Sequence, residues 1–383
     1  MGLDYLNYMD HFGLPRSGII HVGANNASEA RFYAAYGDVP VAFFEPIPSV
    51  YEKALQSTRR FPLHRVFHAC CSDRDGAAVT FNVSSNRGMS SSMFPLGRHG
   101  EIVPGVTYVE KIEMKTSTAE SLLNQHYRLD DFNLAVIDTQ GADLLVLKGL
   151  GRYLDYLDAI NIEVSDTPLY EGGATFDQIY RYLDERGFAL AMMHTTNTDW
   201  GNAFFKRRQP VYVRETLSAI SRGKASSQSS ELAPWAPSLG NDGDIQTRRK
   251  FFHTRKEREP WWEVDLGEVV NIKKIYLFDR QGQPERARTT VVEVSENGSD
   301  YNLVYDRAGE LVKKGQNVVA ILWRGAARYV RVRLQEENFL HFRQVAVVAD
   351  EFADQTRKPS LNRSGKPKNG SRSSRSSVVS ATA

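Results

Sequence analysis

Residues Ser17 to Pro46, SGIIHVGANNASEARFYAAYGDVPVAFFEP, restrict the fold of this chain more than any other stretch. Ile19, Ile20 and Val22 form a short apolar run that stops at Gly23, and Ser28 to Tyr36 then reads as a helix. A second apolar run, Val41 to Phe44, ends on the acidic Glu45. Strand, glycine turn, helix and strand make the opening βαβ half of a nucleotide-binding α/β fold. In such a unit the turn brings backbone N–H groups to the ligand, and an acid about 20 residues on accepts hydrogen bonds from a ribose. Gly23 and Glu45 meet that spacing, so an adenosine derivative is the expected cofactor.

The turn carries one glycine, with Asn25, Asn26 and Ala27 at the later positions. Dinucleotides need further glycines so that the backbone can approach the pyrophosphate. A ligand without phosphates, such as S-adenosylmethionine (SAM), has no such need. An ordinary βα turn is the alternative reading of this fragment alone.

From Ser17 to about Val213 strand and helix patterns alternate. Strands are expected at 18–22, 41–45, 65–71, 134–138, 159–164 and 188–193, with helices at 28–36, 49–58, 119–127, 142–150 and 176–186. This alternation argues for a mostly parallel sheet with helices on both faces. The run 188–193 is expected to pair with 202–206 as an antiparallel edge hairpin. Ser84 to Gly105 breaks the pattern with a long Ser- and Gly-rich segment. Loops of that length in a compact domain are usually lids or disordered, and this one is placed to cover the carboxyl ends of the strands. Residues 221–230 read as a Ser-rich linker. Beyond them, short β-type runs separated by turn signals suggest an all-β sandwich over 231–350. The Lys-, Arg- and Ser-rich tail, 351–383, cannot form a core and is expected to be disordered.

Length, 383 residues, suggests two or three domains. A net charge of +2 argues against a general polyanion binder, although the tail could touch an anionic surface weakly. Cys70 and Cys71 are the only cysteines, so no disulfide framework exists and a reducing, cytoplasmic compartment is expected. No thiolate spacing suggests a metal. No apolar run approaches a membrane span, and no nucleic-acid partner is expected.

Several residues could carry chemistry. Asp138 sits where the apolar run 134–137 stops, so it faces the crevice in which open α/β sheets bind ligands. It could orient a cofactor amino group or act as a general base. Asp143 fits either a site role or a helix cap. Glu163, among apolar neighbours in INIEVS, fits either a site carboxylate or a structural ion pair. His21 could take a hydroxyl proton, although beside a strand end it equally reads as a packed residue. His99, in the lid segment, is a further candidate.

These segments resemble the FkbM-type family of SAM-dependent methyltransferases over about residues 15–195. The likeness rests on IIHVGANNASEA, FFEPIPSVYEKAL, ACCSDRDGAAVTF, VIDTQGADLLVLKGL and INIEVSDTPLYEGG, in that order. It implies a Rossmann-like class I methyltransferase fold over 1–220 and methyl transfer to hydroxyl groups, often on sugars or polyketides. It also implies that Gly23, Ala24 and Asn25 form the SAM turn, that Glu45 binds the ribose, that Ser72 and Asp73 lie near the adenine, and that Asp138 lies near the methionine end. His21, Asn26-Ala27 and Gln140 depart from the family pattern.

The later region resembles a discoidin-type domain, the jelly-roll sandwich also found in fucose-binding lectins. ASSQSS, NDGD, FFHT, PWWEVDLG, IKKIYLFDR and VVEVSENGSDYNLV carry the likeness. It implies that His253, Arg280 and Arg286 grip a sugar, through the fixed donor pairs of Arg and stacking on aromatic faces. Asn241 and Asp242 could join a lectin-type calcium site, or simply form a turn.

The combined expectation is a SAM-dependent O-methyltransferase acting on a carbohydrate hydroxyl, with Asp138, His21 and Glu163 as the pool of bases and the sandwich assisting glycan binding. A nicotinamide enzyme is disfavoured by the single-glycine turn. A nucleic-acid base methyltransferase is disfavoured by DTQG after the fourth strand. The alternative is a non-catalytic glycan-binding protein with a degenerate methyltransferase domain.

Overall fold

The computed structural model describes residues 4–195, 200–247, 249–280, 283–309 and 318–350. The basic tail expected from 351 onward lies outside the described residues.

The first domain is built on a seven-stranded sheet. Its strands are β1 (Ile19–Val22), β2 (Val41–Glu45), β3 (His64–His68), β4 (Leu134–Ile137), β5 (Ala159–Ser165), β6 (Phe188–Thr195) and β7 (Trp200–Arg207). They lie in the order β3-β2-β1-β4-β5-β7-β6. β1 to β5 pair in parallel, and β7 runs antiparallel between β5 and β6. The edge hairpin is thus as expected. The central strands are buried on both faces, which is why they read as continuous apolar runs. Ile20, Val22, Ala42, Phe44, Ala135 and Ile137 fill one core, and Ile19, Val41, Phe43, Leu134 and Val136 fill the other.

Helix α1 (Asp4–His11) went unread in the sequence. It buries Tyr5, Leu6 and Met9. Helices α2 (Ala30–Tyr36), α3 (Pro48–Thr58), α4 (Asp143–Gly149) and α5 (Phe176–Asp184) fall where the periodicity puts them. Antiparallel strands Ala78–Ser84 and Tyr108–Ser117 bracket the Ser-rich segment. That segment is stitched down by its own serines. Ser84 N–H donates to Ser91 Oγ, Ser90 N–H to Ser84 Oγ, and Ser92 Oγ to the Gln140 carbonyl at 2.7 Å.

The second domain is an antiparallel sandwich of β8 (Ser226–Gln228), β9 (Trp261–Asp279), β10 (Thr290–Ser295), β11 (Asn302–Asp306), β12 (Val318–Leu334) and β13 (Phe342–Ala349). Trp262, Val264, Ile275, Leu277, Val292, Val330, Val332 and Val345 form its core. The runs 261–266 and 272–278, read as separate strands, are one strand with register breaks at Asp265/Val270 and Ile272/Lys274. A bulge absorbs the intervening glycine, and the strand bends rather than ends. The stretch expected as a linker, 221–230, carries β8, paired with β9. Ser221 is buried and accepts from Val347 N–H at 3.0 Å.

The domains meet across helix α6 (Val211–Leu217) and a buried charge network. Arg324 donates to Asp131 at 2.8 Å and to Asp130 at 2.9 Å. Lys273 lies 3.0 Å from Glu215, and Lys274 lies 3.6 Å from it. Arg128 pairs with Asp350, and Tyr276 donates to Glu215. Among the described residues no helix is long and apolar enough to cross a membrane.

Candidate functional site

A cavity opens over the carboxyl ends of β1, β2 and β4. Its walls come from Val22, Gly23 and Asn25, from Glu45 to Ile47, from Ala69 to Cys71, and from Asp138 to Gln140. Gly88, Met89, Ser91 and Met93 of the Ser-rich segment close one side, as the lid reading expects. The turn after β1 needs glycine. Gly23 has φ +83°, and a Cβ there would lie 1.8 Å from the Asp138 carbonyl oxygen. The two turns that make the crevice therefore touch backbone to backbone.

Glu45 ends β2 and is 4% exposed. Its carboxylate accepts from Ile47 N–H at 2.8 Å and from the Asn25 backbone N–H. Burial pushes its pKa up to about 7 against these two donors. Its remaining lone pairs can accept from ligand hydroxyls. Among the described residues the cavity lining holds two carboxylates, Glu45 and Asp138, and no Lys, Arg or His side chain. Such a lining suits a cationic ligand and opposes a pyrophosphate.

Behind Asp138 lies a buried acid cluster. The Gln140 amide donates to Asp138 Oδ1 at 2.5 Å and to Glu163 Oε2 at 2.9 Å, while Tyr170 O–H donates to Gln140 Oε1. Trp200 donates its indole N–H to Glu163 Oε1 at 2.7 Å. Burial, then the negative Asp143, raise Asp138 to about 6. Burial and the charges of Asp138 and Asp143 push Glu163 well above the carboxylate range. A hydrogen bond between the two carboxyls lowers Asp138 and raises Glu163. Of the two carboxyls, Glu163 is the one pushed further toward its protonated form.

Not every expected residue reaches this site. His21 is the main correction. It packs on the other face of the sheet, where its Nδ1 meets Tyr33 O–H at 3.0 Å and its ring lies against Phe43. Alternation along β1 turns Val22 to the cavity and His21 away from it. Ala24 is buried in the core, and its N–H donates to the Phe44 carbonyl. Ser72 and Asp73 do not line the cavity. Ser72 N–H donates to Ser117 O, and Asp73 pairs with Arg74. The short strand Cys70–Cys71 pairs with Thr116–Ser117 and carries the following residues away. Asp143 caps the turn before α4, accepting from Thr139 N–H at 2.9 Å and Gly141 N–H at 3.0 Å. His99 meets Ser90 Oγ at 3.2 Å and stacks on Tyr170, which fastens the lid segment. Sequence reasoning missed Gln140, Tyr170 and Trp200 as partners of the acids. Gln140 stood in the quoted VIDTQGADLLVLKGL and Tyr170 in INIEVSDTPLYEGG, whereas Trp200 stood in no quoted motif.

In the sandwich, His253, Arg280 and Arg286 do come together. His253 Nδ1 donates to the Thr254 carbonyl at 2.6 Å, which leaves Nε2 with the lone pair. Burial, and then the charges of Arg280 and Arg286, lower its pKa. Arg280 lies over the Phe251 ring at 4.2 Å and Arg286 over the Phe339 ring at 4.7 Å. Trp235 adds a third aromatic wall to His253. His341, unread in the sequence, packs against His253 with both ring nitrogens buried and unpartnered. Asn241 serves the fold, donating to Ser221 O and Lys224 O at 2.8 and 2.9 Å. Asp242 pairs with Lys250 at 2.7 Å, and Asp244 lies 3.5 Å from the same ammonium.

Residues 21–190 match the methyltransferase FkbM domain, and residues 223–344 match the F5/8 type C domain. The chain joins an FkbM methyltransferase domain to an F5/8 type C domain. The cavity and acid cluster belong to the FkbM domain, and the His253 pocket to the F5/8 type C domain. Among solved structures, the lectin domain of lectinolysin complexed with Lewis B antigen is 25% identical with a TM-score of 0.31, covering 34% of this chain and 96% of that one. A fucose binding module of Streptococcus pneumoniae is 22% identical with a TM-score of 0.31, covering 34% and 95%. A fucolectin from striped bass serum is 23% identical with a TM-score of 0.30, covering 34% and 48%. No curated protein matches the chain.

Proposed function

We propose that the FkbM domain transfers a methyl group from SAM to a hydroxyl of a carbohydrate, and that the F5/8 type C domain holds a glycan through His253, Arg280 and Arg286. The observation that carries this reading is the cavity over β1, β2 and β4, lined by the buried Glu45 and the half-buried Asp138, with no cationic side chain among the described residues. These residues fit SAM: Glu45 would hold its ribose, Asp138 would lie at its methionine end, and the apolar walls would hold its adenine. The cofactor, when bound, supplies an activated methyl group, so the protein mainly positions the acceptor and removes a proton. Asp138, ionised at neutral pH, is the acceptor of that proton. Glu163 and Gln140 act through Asp138 as positioning residues. In the sandwich, Arg280 and Arg286 donate to sugar oxygens while His253 Nε2 accepts from a sugar hydroxyl.

Calorimetric titration with S-adenosylhomocysteine tests this reading, with Glu45→Ala as the control. Saturable binding that Glu45→Ala abolishes is expected. A folded protein that takes up none would leave only the glycan-binding reading.

A further inference from the structure

The cavity and the attachment of the sandwich belong to opposite rims of the parallel sheet. Every described residue that lines the cavity falls between Val22 and Ala142, so the described part of the sandwich contributes none of them. The cavity sits at the carboxyl ends of the parallel strands. The sandwich is fixed at their amino ends. Asp130 and Asp131, which take Arg324, directly precede the β4 segment. Asp158, directly before β5, accepts from Val211 N–H at 2.6 Å and so seats helix α6 on that same rim. Helix α6 in turn meets the sandwich through Glu215 with Lys273 and Lys274, and through Tyr212 with Phe278. From Asp131 to Asp138 the extended chain spans about 20 Å, the thickness of sheet between the attachment rim and the cavity. The network is buried on both sides, with side-chain exposures of 21% for Arg324, 8% for Asp130 and 5% for Asp131, so the offset is built in rather than left to a tether.

Resting on the function proposed above, we infer that the sandwich pocket does not present the sugar unit that is methylated. It anchors a different unit of a long or repeatedly displayed glycan, so the preferred acceptor is polymeric. The rim that holds the sandwich and Asp138 are separated by about 20 Å of extended chain, further than one sugar unit spans. Binding at the sandwich then raises the local concentration of acceptor at the cavity, which lowers KM for long acceptors and leaves the transfer step itself alone.

The test uses the full chain, labelled SAM, and a Lewis b oligosaccharide offered either free or coupled in many copies to polyacrylamide. Free L-fucose is the competitor for the sandwich pocket. Saturating L-fucose is expected to raise KM for the polymer by about tenfold or more, with kcat unchanged, and to leave transfer to the free oligosaccharide unaffected. Inhibition of both acceptors alike would put the pocket at the transfer site and overturn the inference. Inhibition of neither would overturn it too. Absence of transfer to either, with no S-adenosylhomocysteine binding, would instead remove the methyltransferase reading, and this inference with it.

Discussion

At pH 8 the folded chain keeps the Glu45 carboxylate ionised where burial favours the acid, because its pKa stands at about 7. An acid raised in the folded state lowers stability in full above its folded pKa, and the deficit fades as pH falls toward the ordinary value of 4.5. The difference amounts to about 3 kcal/mol. Glu45→Gln is therefore expected to raise the melting temperature at pH 8 by several degrees, while calorimetry shows S-adenosylhomocysteine binding weakened tenfold or more. A lower melting point with normal binding would remove Glu45 from the ligand site. Under the proposed function the same ionisations govern SAM uptake. Affinity should climb as pH passes through about 6 and 7, the values of Asp138 and Glu45, since only the carboxylates can hold a cation. A flat affinity profile between pH 5 and 8 would contradict this. His21 illustrates the limit of residue-level reading. Its type and place suit a base, yet strand alternation decides which way it faces. His21→Ala should cost about 2 kcal/mol through the lost packing with Tyr33 and Phe43, with S-adenosylhomocysteine affinity retained in titration.

Among the elements, the turn after β1 shows how local sequence and tertiary contact divide the work. GANN marks a turn, but only the approach of the Asp138 carbonyl makes Gly23 irreplaceable. Gly23→Ala is expected to destabilise the fold by about 3 kcal/mol or more and to abolish cofactor binding, read by thermal melts and titration. The loop 241–250 behaves differently. NDGD has the look of a cation loop, yet the Lys250 ammonium already stands between Asp242 and Asp244. Calcium and chelator should both leave the melting temperature of the full chain unchanged, and Lys250→Gln should make it respond to calcium. A rise on adding calcium to the unaltered chain would show that the lysine yields its place. The Ser-rich segment went only half read. Its composition announces a loop, but its order comes from serines bonding to one another and to Gln140, contacts that no periodicity records.

For the whole molecule, the domain interface carries the clearest expectation. Burial alone would raise Asp130 and Glu215, but Lys274, Lys273 and, for Asp130, Arg324 and Arg128 outweigh it and hold both below the usual carboxylate range. Acids lowered in this way stabilise the fold fully above their ordinary pKa, and that stability is lost as pH falls through the lowered values. The interface should therefore loosen in acid, below about pH 4. Arg324→Ala removes the guanidinium that Asp130 and Asp131 share, leaves Asp130 to the two lysines, and is expected to cost about 3 kcal/mol. Calorimetric scans should then show two separated transitions where the unaltered chain shows one. By itself the sequence determined the βαβ opening, the parallel sheet, the sandwich and the pairing of Glu45 with the Gly23 turn, because each rests on apolar periodicity and turn chemistry within a few residues. It also drew His253, Arg280 and Arg286 into one group by resemblance. Tertiary structure alone decided that His21 faces away, that Ser72 and Asp73 leave the cavity, and that Gln140 links Asp138 to Glu163. It alone fixed the sandwich to the rim opposite the cavity. Those outcomes depend on strand register and on charges brought together from residues far apart in the chain, which no local pattern encodes.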